Sequence, residues 1–238
     1  FLFPVLQMLY WTIIFPKHLI DLNLIELFLN TILLVFLSSI VLITLAFISN
    51  YGNRVSRSKF LLLLNTFSIS GYAIPGIILA VAFITFVSWF DNNVINFFGF
   101  NTIKTFFIGS IMGLVIVYFV RFFSLASNGL KSAYLKINYS IDESAYLLGY
   151  SKFKTFKNIH IPYLKNSMLL IGILIAIEII KELPITLIMR PFNFETFATT
   201  AYVFASQDLL EAAAAPSLFL ILIASFFILI TSRYILND

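Results

Sequence analysis

Glu178, Lys181 and Glu182 fall at i, i+3 and i+4 within an otherwise apolar run, residues 163–189. On a helix that spacing puts the three side chains on one face. Carboxylate oxygens suit hard cations, and ionisable groups at membrane depth mark solute paths by default. The lysine points the other way, because it supplies an internal counter-charge. A buried ion pair that fixes helix packing is the competing reading, and the sequence leaves both open. Pro75, flanked by Gly71 and Gly76, interrupts another apolar run at 60–90. A gate or hinge is one reading of that break, and close packing through small residues is the other. No apolar run holds a nucleophile with a base. There is no cysteine, and His18 and His160 are the only histidines, so thiol chemistry, thiolate metal ligation and a His-based metal site are excluded. The sequence implies neither an enzyme nor a cofactor.

These residues must be positioned by membrane helices. The 238 residues are 61% hydrophobic and 11% charged, with a mean hydropathy of +1.00. A soluble domain carries about 25% charge. The expected fold is therefore all-α, a polytopic transmembrane bundle in one domain, 1–238. Each span needs about 20 apolar residues. Residues 24–48, 60–90, 105–127, 163–189 and 213–235 qualify. Residues 1–15 are apolar but short, like the remnant of a span, which makes six passes with the first truncated. The chain opens at Phe1 without an initiator methionine and reads as the later part of a longer protein. Alternation with period two, the mark of a β-barrel, is absent.

The basic residues set the orientation. Arg54, Arg57, Lys59, Arg121, Lys131, Lys136, Lys152, Lys154, Lys157, Lys165 and Arg233 fall on one side, and Lys17, Lys104, Lys181 and Arg190 on the other. The first side is the cytoplasm. The net charge of +4 is thus topology rather than a nucleic-acid surface.

The stretch 130–162 lies on that cytoplasmic side. Ser140 with Glu143 reads as a capping box. Ile141, Ala145 and Leu148 share an apolar face. Gly149 suits a left-handed helix end, and Ser151 suits the cap of a second short helix. There Phe153 and Phe156 would share a face among Lys152, Lys154 and Lys157. Pro162 then opens the next membrane helix. An amphipathic pair of this kind either seats in a groove of a cytoplasmic partner or lies on anionic lipid.

The spacing Glu143-Ser144-Ala145-x3-Gly149-x9-Ile159-x-Ile161-Pro162 resembles the EAA loop of binding-protein-dependent ABC transporter permeases. That pattern is Glu-Ala-Ala-x3-Gly-x9-Ile-x-Leu-Pro. Ser144 replaces an alanine and Ile161 a leucine. A second stretch, Lys181 to Phe197, is similar to the segment after the fifth helix in the last half of ferric-iron permeases. Residues 3–7 and 202–214 resemble that subfamily too.

The resemblance implies that 143–162 is a coupling loop seated on a separate ABC ATPase. The chain itself lacks the Gly-x4-Gly-Lys-[Ser/Thr] phosphate loop. It further implies a periplasmic substrate-binding protein, a second permease half or second copy, a lipid surround in the bacterial inner membrane, and ferric iron as cargo. Glu178, Lys181, Glu182 and Pro75 become candidates for the path or its gate. Another solute (a polyamine, a phosphonate or thiamine) is the nearest alternative, and a membrane scaffold without transport is the more distant one.

The orientation has a direct check. Cysteines at Asn53 or Lys154 should react with an impermeant thiol reagent only from the cytoplasmic side, and those at Asn93 or Asn193 only from outside. External labelling of Lys154→Cys would invert the topology.

Overall fold

The computed structural model describes residues 2–20, 22–56, 59, 63, 66, 70–91, 93 and 107–237, with side chains as far as Arg233. Among these residues every regular element is a helix: α1 Leu2–Ile14, α2 Pro16–Ile20, α3 Leu24–Ser56, a 3-10 turn Ser70–Ala73, α4 Gly76–Phe90, α5 Ile111–Tyr134, α6 Tyr139–Leu147, α7 Lys152–Thr155, a π turn Phe156–His160, α8 Ile161–Ile180, α9 Pro184–Met189, α10 Phe197–Ser206 and α11 Leu210–Asn237. Four helical stretches are long and apolar enough to cross a bilayer: Leu24–Ser56, Ile111–Tyr134, Lys152–Ile180 and Leu210–Arg233. Leu2–Ile14 and Gly76–Phe90 are apolar but shorter. The protein is a multi-pass, all-α membrane protein, and its first helix is short, as the sequence implies.

Local chemistry explains where the helices start and stop. Asn23 caps α3: its Oδ1 accepts from the Glu26 amide at 3.4 Å, and its Nδ2 donates to Glu26 Oε2 at 2.9 Å. The first bond satisfies an amide that the helix start leaves open, and the second holds the two side chains together. α3 has 33 residues, about 50 Å at the usual rise, so it is longer than the apolar core it crosses and carries Arg54 near its last turn.

Two expected spans differ from the sequence reading. In the run 60–90, the described residues form the 3-10 turn and then a separate 15-residue helix; residues 60–62, 64, 65 and 67–69 lie outside the described residues. Pro75 precedes α4 rather than kinking it, because a proline disfavours helix in the residue before it. The run 163–189 is not one pass. Its helix ends at Ile180, and α9 starts afresh at Pro184. The expected span 105–127 continues as helix to Tyr134. Its residues 105 and 106, like the outward-loop residue Lys104 and the basic residue Arg57, lie outside the described residues.

The chain forms two compact units. The first comprises Phe1–Leu37, Pro75–Tyr118 and Ala176–Asp238. In it α1 and α10 pack on α11, and α9 packs on α4. Phe197 stacks on Phe219 with ring centroids 5.5 Å apart. Buried Tyr118 donates to Thr186 Oγ1 at 2.5 Å, and Thr186 passes its own proton to the Glu182 carbonyl at 2.5 Å. The hydroxyls of Tyr118 and Thr186 are thus both satisfied.

The second unit comprises Ser38–Ile74 and Phe119–Ile175. Leu42, Ala46, Phe47, Phe122, Ala126, Leu130, Leu164 and Ile171 form its core. Asn50, buried on α3, bridges to Ser127 on α5 through both the carbonyl and the hydroxyl, each at 3.2 Å. Gly71 lies against α5 so closely that a Cβ there would clash with the Val120 carbonyl oxygen.

A glycine pair tests this packing. Gly71→Ala should destabilise the protein by roughly 1–3 kcal/mol through overpacking. Gly52→Ala, in α3 with nothing within 4 Å of its Cβ position, should stabilise it by about 0.5–1 kcal/mol. Thermal unfolding in detergent micelles reads both, and equal effects would contradict the packing.

Candidate functional site

The loop that carries Glu143 to Pro162 is built from three local signals. Asn138 is the N-cap of α6, its Oδ1 accepting from the Ser140 amide at 3.3 Å. The cap lies two residues before the one expected, and Glu143 is left exposed instead of closing a capping box with Ser140. Gly149 ends the helix at φ +79°. The Gly149 amide bonds the Tyr146 carbonyl and the Tyr150 amide bonds the Ala145 carbonyl, each at 3.0 Å. That is the paired closure in which the left-handed position favours glycine. Ser151 then caps α7 as expected, accepting from the Lys154 amide at 3.3 Å.

Beyond α7 the chain does not break. The π turn Phe156–His160 carries it directly into α8, with the Ile161 amide bonding Phe156 O. A proline has no N–H to donate, and its ring crowds the carbonyl four residues back. A widened π turn just before Pro162 relieves that crowding. The second short helix and the membrane helix, expected to be separate elements, are therefore continuous.

The loop is held from beneath by a charged cluster. Asp142 is buried. Its Oδ2 accepts from Arg54 Nε at 2.7 Å, and its Oδ1 lies 2.7 Å from His160 Nε2. Arg54 also donates to the carbonyls of Ile137 and Asn138 at 3.0 and 3.1 Å, in the connection between α5 and α6. Its guanidinium sits 4.2 Å from the Tyr139 ring centre. His160 is fully buried, with Tyr51 and Tyr134 at 5.0 and 5.6 Å. Phe156 packs on Phe47 and Tyr51, and Tyr51 Oη donates to the Lys152 carbonyl at 2.6 Å.

Sequence reasoning missed all three members of this cluster. Arg54 served only as a topology marker, and His160 was set aside as too solitary for a metal site. The available signal was Asp142 itself, three residues from buried Ala145 and so on the covered face of α6. A carboxylate on such a face requires a buried cation or donor.

The opposite face is open. Glu143 and Ser144 are exposed, and so are Leu147 (89%), Leu148 (79%) and Phe153 (73%). Ile141, Ser144, Ala145, Leu148, Tyr150 and Ile159 line a groove of about 390 Å³. The structure thus gathers Ser144, Ala145 and Ile159 into one groove, with Glu143 beside Ser144 in sequence and Gly149 at the elbow. Pro162 lies apart, on the exposed side of α8. Phe153 and Phe156 do not share a face: Phe153 is exposed and Phe156 packs inward.

The second candidate set is split. Lys181 pairs with Glu178 at 2.7 Å, and both are at least partly exposed. Lys181 follows the last residue of α8, so the expected single helix face does not extend to Glu182. Glu182 is buried, and its Oε1 accepts from the Ile185 amide at 3.4 Å, an orphan group of the first turn of α9. The same oxygen lies 2.7 Å from where a Cβ on Gly76 would stand, next to exposed Pro75. Farther on, Arg190 pairs with Glu195. Thr196 and Thr199 form a capping box for α10, and the Phe197 amide bonds Thr31. No three His, Asp or Glu side chains converge on a metal position among the described residues.

No protein-family profile matches the chain. It is 21% identical over 163 residues to the Fe(3+)-transport system permease protein FbpB 2 of Haemophilus influenzae, a match covering 68% of this chain and 30% of that protein. Among solved structures it is similar to a chain of a bacterial ABC transporter involved in the import of the acidic polysaccharide alginate. There the TM-score is 0.67 at 19% identity, over 91% of this chain and 82% of that one. A bacterial alginate ABC transporter in complex with alginate pentasaccharide-bound periplasmic protein gives 0.75 at 17% identity, over 97% and 86%. The fold is that of ABC importer permeases.

The charged cluster predicts a large effect from a small change. Asp142→Asn leaves the Arg54 guanidinium, 7% exposed in its side chain, without its counter-charge, and should cost about 3–5 kcal/mol. Glu143→Gln, one residue away and exposed, should stay within about 0.5 kcal/mol of the parent. Thermal unfolding and protease cleavage near Gly149 distinguish the two, and equal stability would remove the cluster's structural role.

Proposed function

We propose that this chain is the membrane permease subunit of a binding-protein-dependent ABC importer in the bacterial inner membrane. Residues 138–162 are its docking element for a separate ATPase. The observation that carries this reading is a loop anchored on one face and apolar on the other. Large exposed apolar groups on the water side of a membrane protein mark a partner surface, and the anchored face lets that surface transmit force. Glu143, Ser144, Ala145, Gly149, Ile159 and Pro162 are its coupling residues, with Gly149 fixing the elbow. A displacement at α7 passes through the π turn into α8, because no flexible joint intervenes. Nucleotide-driven closure of the ATPase then shifts the population between two access states. A periplasmic binding protein delivers the solute, and a second permease half or second copy completes the path.

Ferric iron is the cargo best supported. The stretch Lys181 to Phe197 resembles ferric-iron permeases, and FbpB 2 is itself named for Fe(3+) transport. The solved relatives concern alginate, so an acidic saccharide is the second cargo to test. Glu178, Lys181, Glu182 and Pro75 lie near a break between helices, where a gate would be placed. The capping role of Glu182 supports packing over solute contact.

Two measurements test the proposal. Gly149→Val places a β-branched residue at φ +79°, which is strained for any residue but glycine. In vesicles reconstituted with the ATPase and binding protein, it should abolish solute-stimulated hydrolysis while membrane insertion stays normal. Unchanged coupling would remove the docking role. Cells lacking the gene should lose radiolabelled ferric-iron uptake under iron limitation and keep uptake of alginate oligosaccharides. The reverse pattern would replace iron with the saccharide and leave the permease reading intact.

A further inference from the structure

His160 is fully buried in the π turn, ahead of the apolar run 163–189. Its Nε2 lies 2.7 Å from Asp142 Oδ1. Its Nδ1 is buried with no hydrogen-bond partner among the described residues. These two facts fix the tautomer. A neutral imidazole has one donor and one acceptor nitrogen, and an ionised carboxylate only accepts. Nε2 therefore holds the proton, and Nδ1 is bare.

The charges around the ring disfavour a second proton. Asp142 on α6 is already matched by Arg54 on α3, whose Nε is 2.7 Å from its other oxygen. The remaining titratable groups that face the ring are Tyr51 on α3 and Tyr134 on α5, and phenols do not ionise where histidine does. Lys157, in the π turn itself, is exposed. With His160 neutral, the set of Arg54, Asp142 and His160 sums to zero. Protonated, it holds two cations on one carboxylate away from water, and the new Nδ1–H finds no acceptor. Burial accordingly holds the His160 pKa below its usual value, an effect that the bond to Asp142 opposes in part. A Gln or Asn amide could make the same neutral bond. What imidazole adds is ionisation just below neutral pH.

We infer that His160 is an acid-sensitive latch on the loop 138–162. Held neutral, it ties the π turn to Asp142. When the loop opens and water reaches the ring, the imidazole regains its ordinary affinity for a proton. Acid therefore favours the open loop. The stability that this group supplies is complete above about pH 6.5 and declines as the pH falls below it. No proton path into the closed cluster is needed, because the pH acts on the balance of two populations. The latch stands whatever the chain transports. Its consequence for coupling rests on the permease reading: acid on the side that the loop faces would loosen the docking element and slow the importer.

Protease cleavage near Gly149 in the purified full chain reads the open population, once scaled to a free peptide of the same sequence at each pH. Between about pH 7.5 and about pH 5.5, uptake of one proton should raise that population about tenfold. His160→Gln should remove the rise. His18→Gln, which removes the other histidine, should keep it. A tenfold rise in His160→Gln, or none in the parent, would overturn the latch. Nitrogen-15 NMR of the His18→Gln protein sees the His160 ring alone and serves even where His160→Gln does not fold. The ring should remain the neutral Nε2–H tautomer at about pH 6, and a charged ring there would overturn the latch. In vesicles with the ATPase and binding protein, solute-stimulated hydrolysis should fall over the same pH range in the parent and not in His160→Gln. An equal fall in both would overturn the coupling consequence alone.

Discussion

A single buried carboxylate organises the loop between α5 and α8. Asp142 lies on the covered face of α6, where an ionised group without partners would be strongly unfavourable. It is matched oxygen by oxygen, with Arg54 from α3 on one and His160 from the π turn on the other. Each partner is itself confined: Arg54 by two carbonyls and the face of Tyr139, His160 by Tyr51 and Tyr134. Replacing such a set with apolar residues is often neutral for stability, so its use here is better understood as selecting one arrangement. With only apolar contacts α6 could rotate or slide on its support. With Asp142 in place, any slip strands a charge.

That constraint frees the outer face. A loop held by its own exposed apolar contacts would have to bury Leu147, Leu148 and Phe153. Anchored from beneath, it leaves them open while still holding one shape. Gly149 supplies the change of direction, and the continuous helix from α7 through α8 supplies stiffness. Pro162 fits this design because the π turn before it absorbs the steric conflict. A flexible joint at the same point would let the loop move without moving the helix.

The features legible in the sequence are those fixed by local chemistry. Gly149 and Ser151 stand where helix-ending and helix-capping rules put them. The short first helix follows from counting apolar residues. What escaped was decided by tertiary contact. Ser140 and Asn138 are both competent caps, and the anchoring of the Ile137 and Asn138 carbonyls by Arg54 favours the earlier one. Phe153 and Phe156 share a helical face on paper, but only Phe156 finds rings to pack on. The run 163–189 counts as one span on hydropathy because lipid and protein interior are equally apolar, so hydropathy does not register where one apolar helix stops and the next begins. The cluster of Arg54, Asp142 and His160 spans more than a hundred positions, beyond the reach of any periodicity.

The split of Glu178, Lys181 and Glu182 bears on how a hard cation could cross. A dedicated cation site needs several oxygens turned to a common point. Here Lys181 neutralises Glu178 at the surface, and Glu182 turns inward to hold the start of α9. The constellation that looked most like a cation site from spacing alone thus spends its charges on a helix break. An importer gains from that economy, because a cargo held tightly in mid-path would not be released. Selectivity would then reside in the protein that delivers the solute, and the membrane chain would supply a passage whose opening is set from the cytoplasmic loop. On the proposed function, such a division would let one fold serve unlike cargoes: the lever stays fixed, and the path lining is free to change.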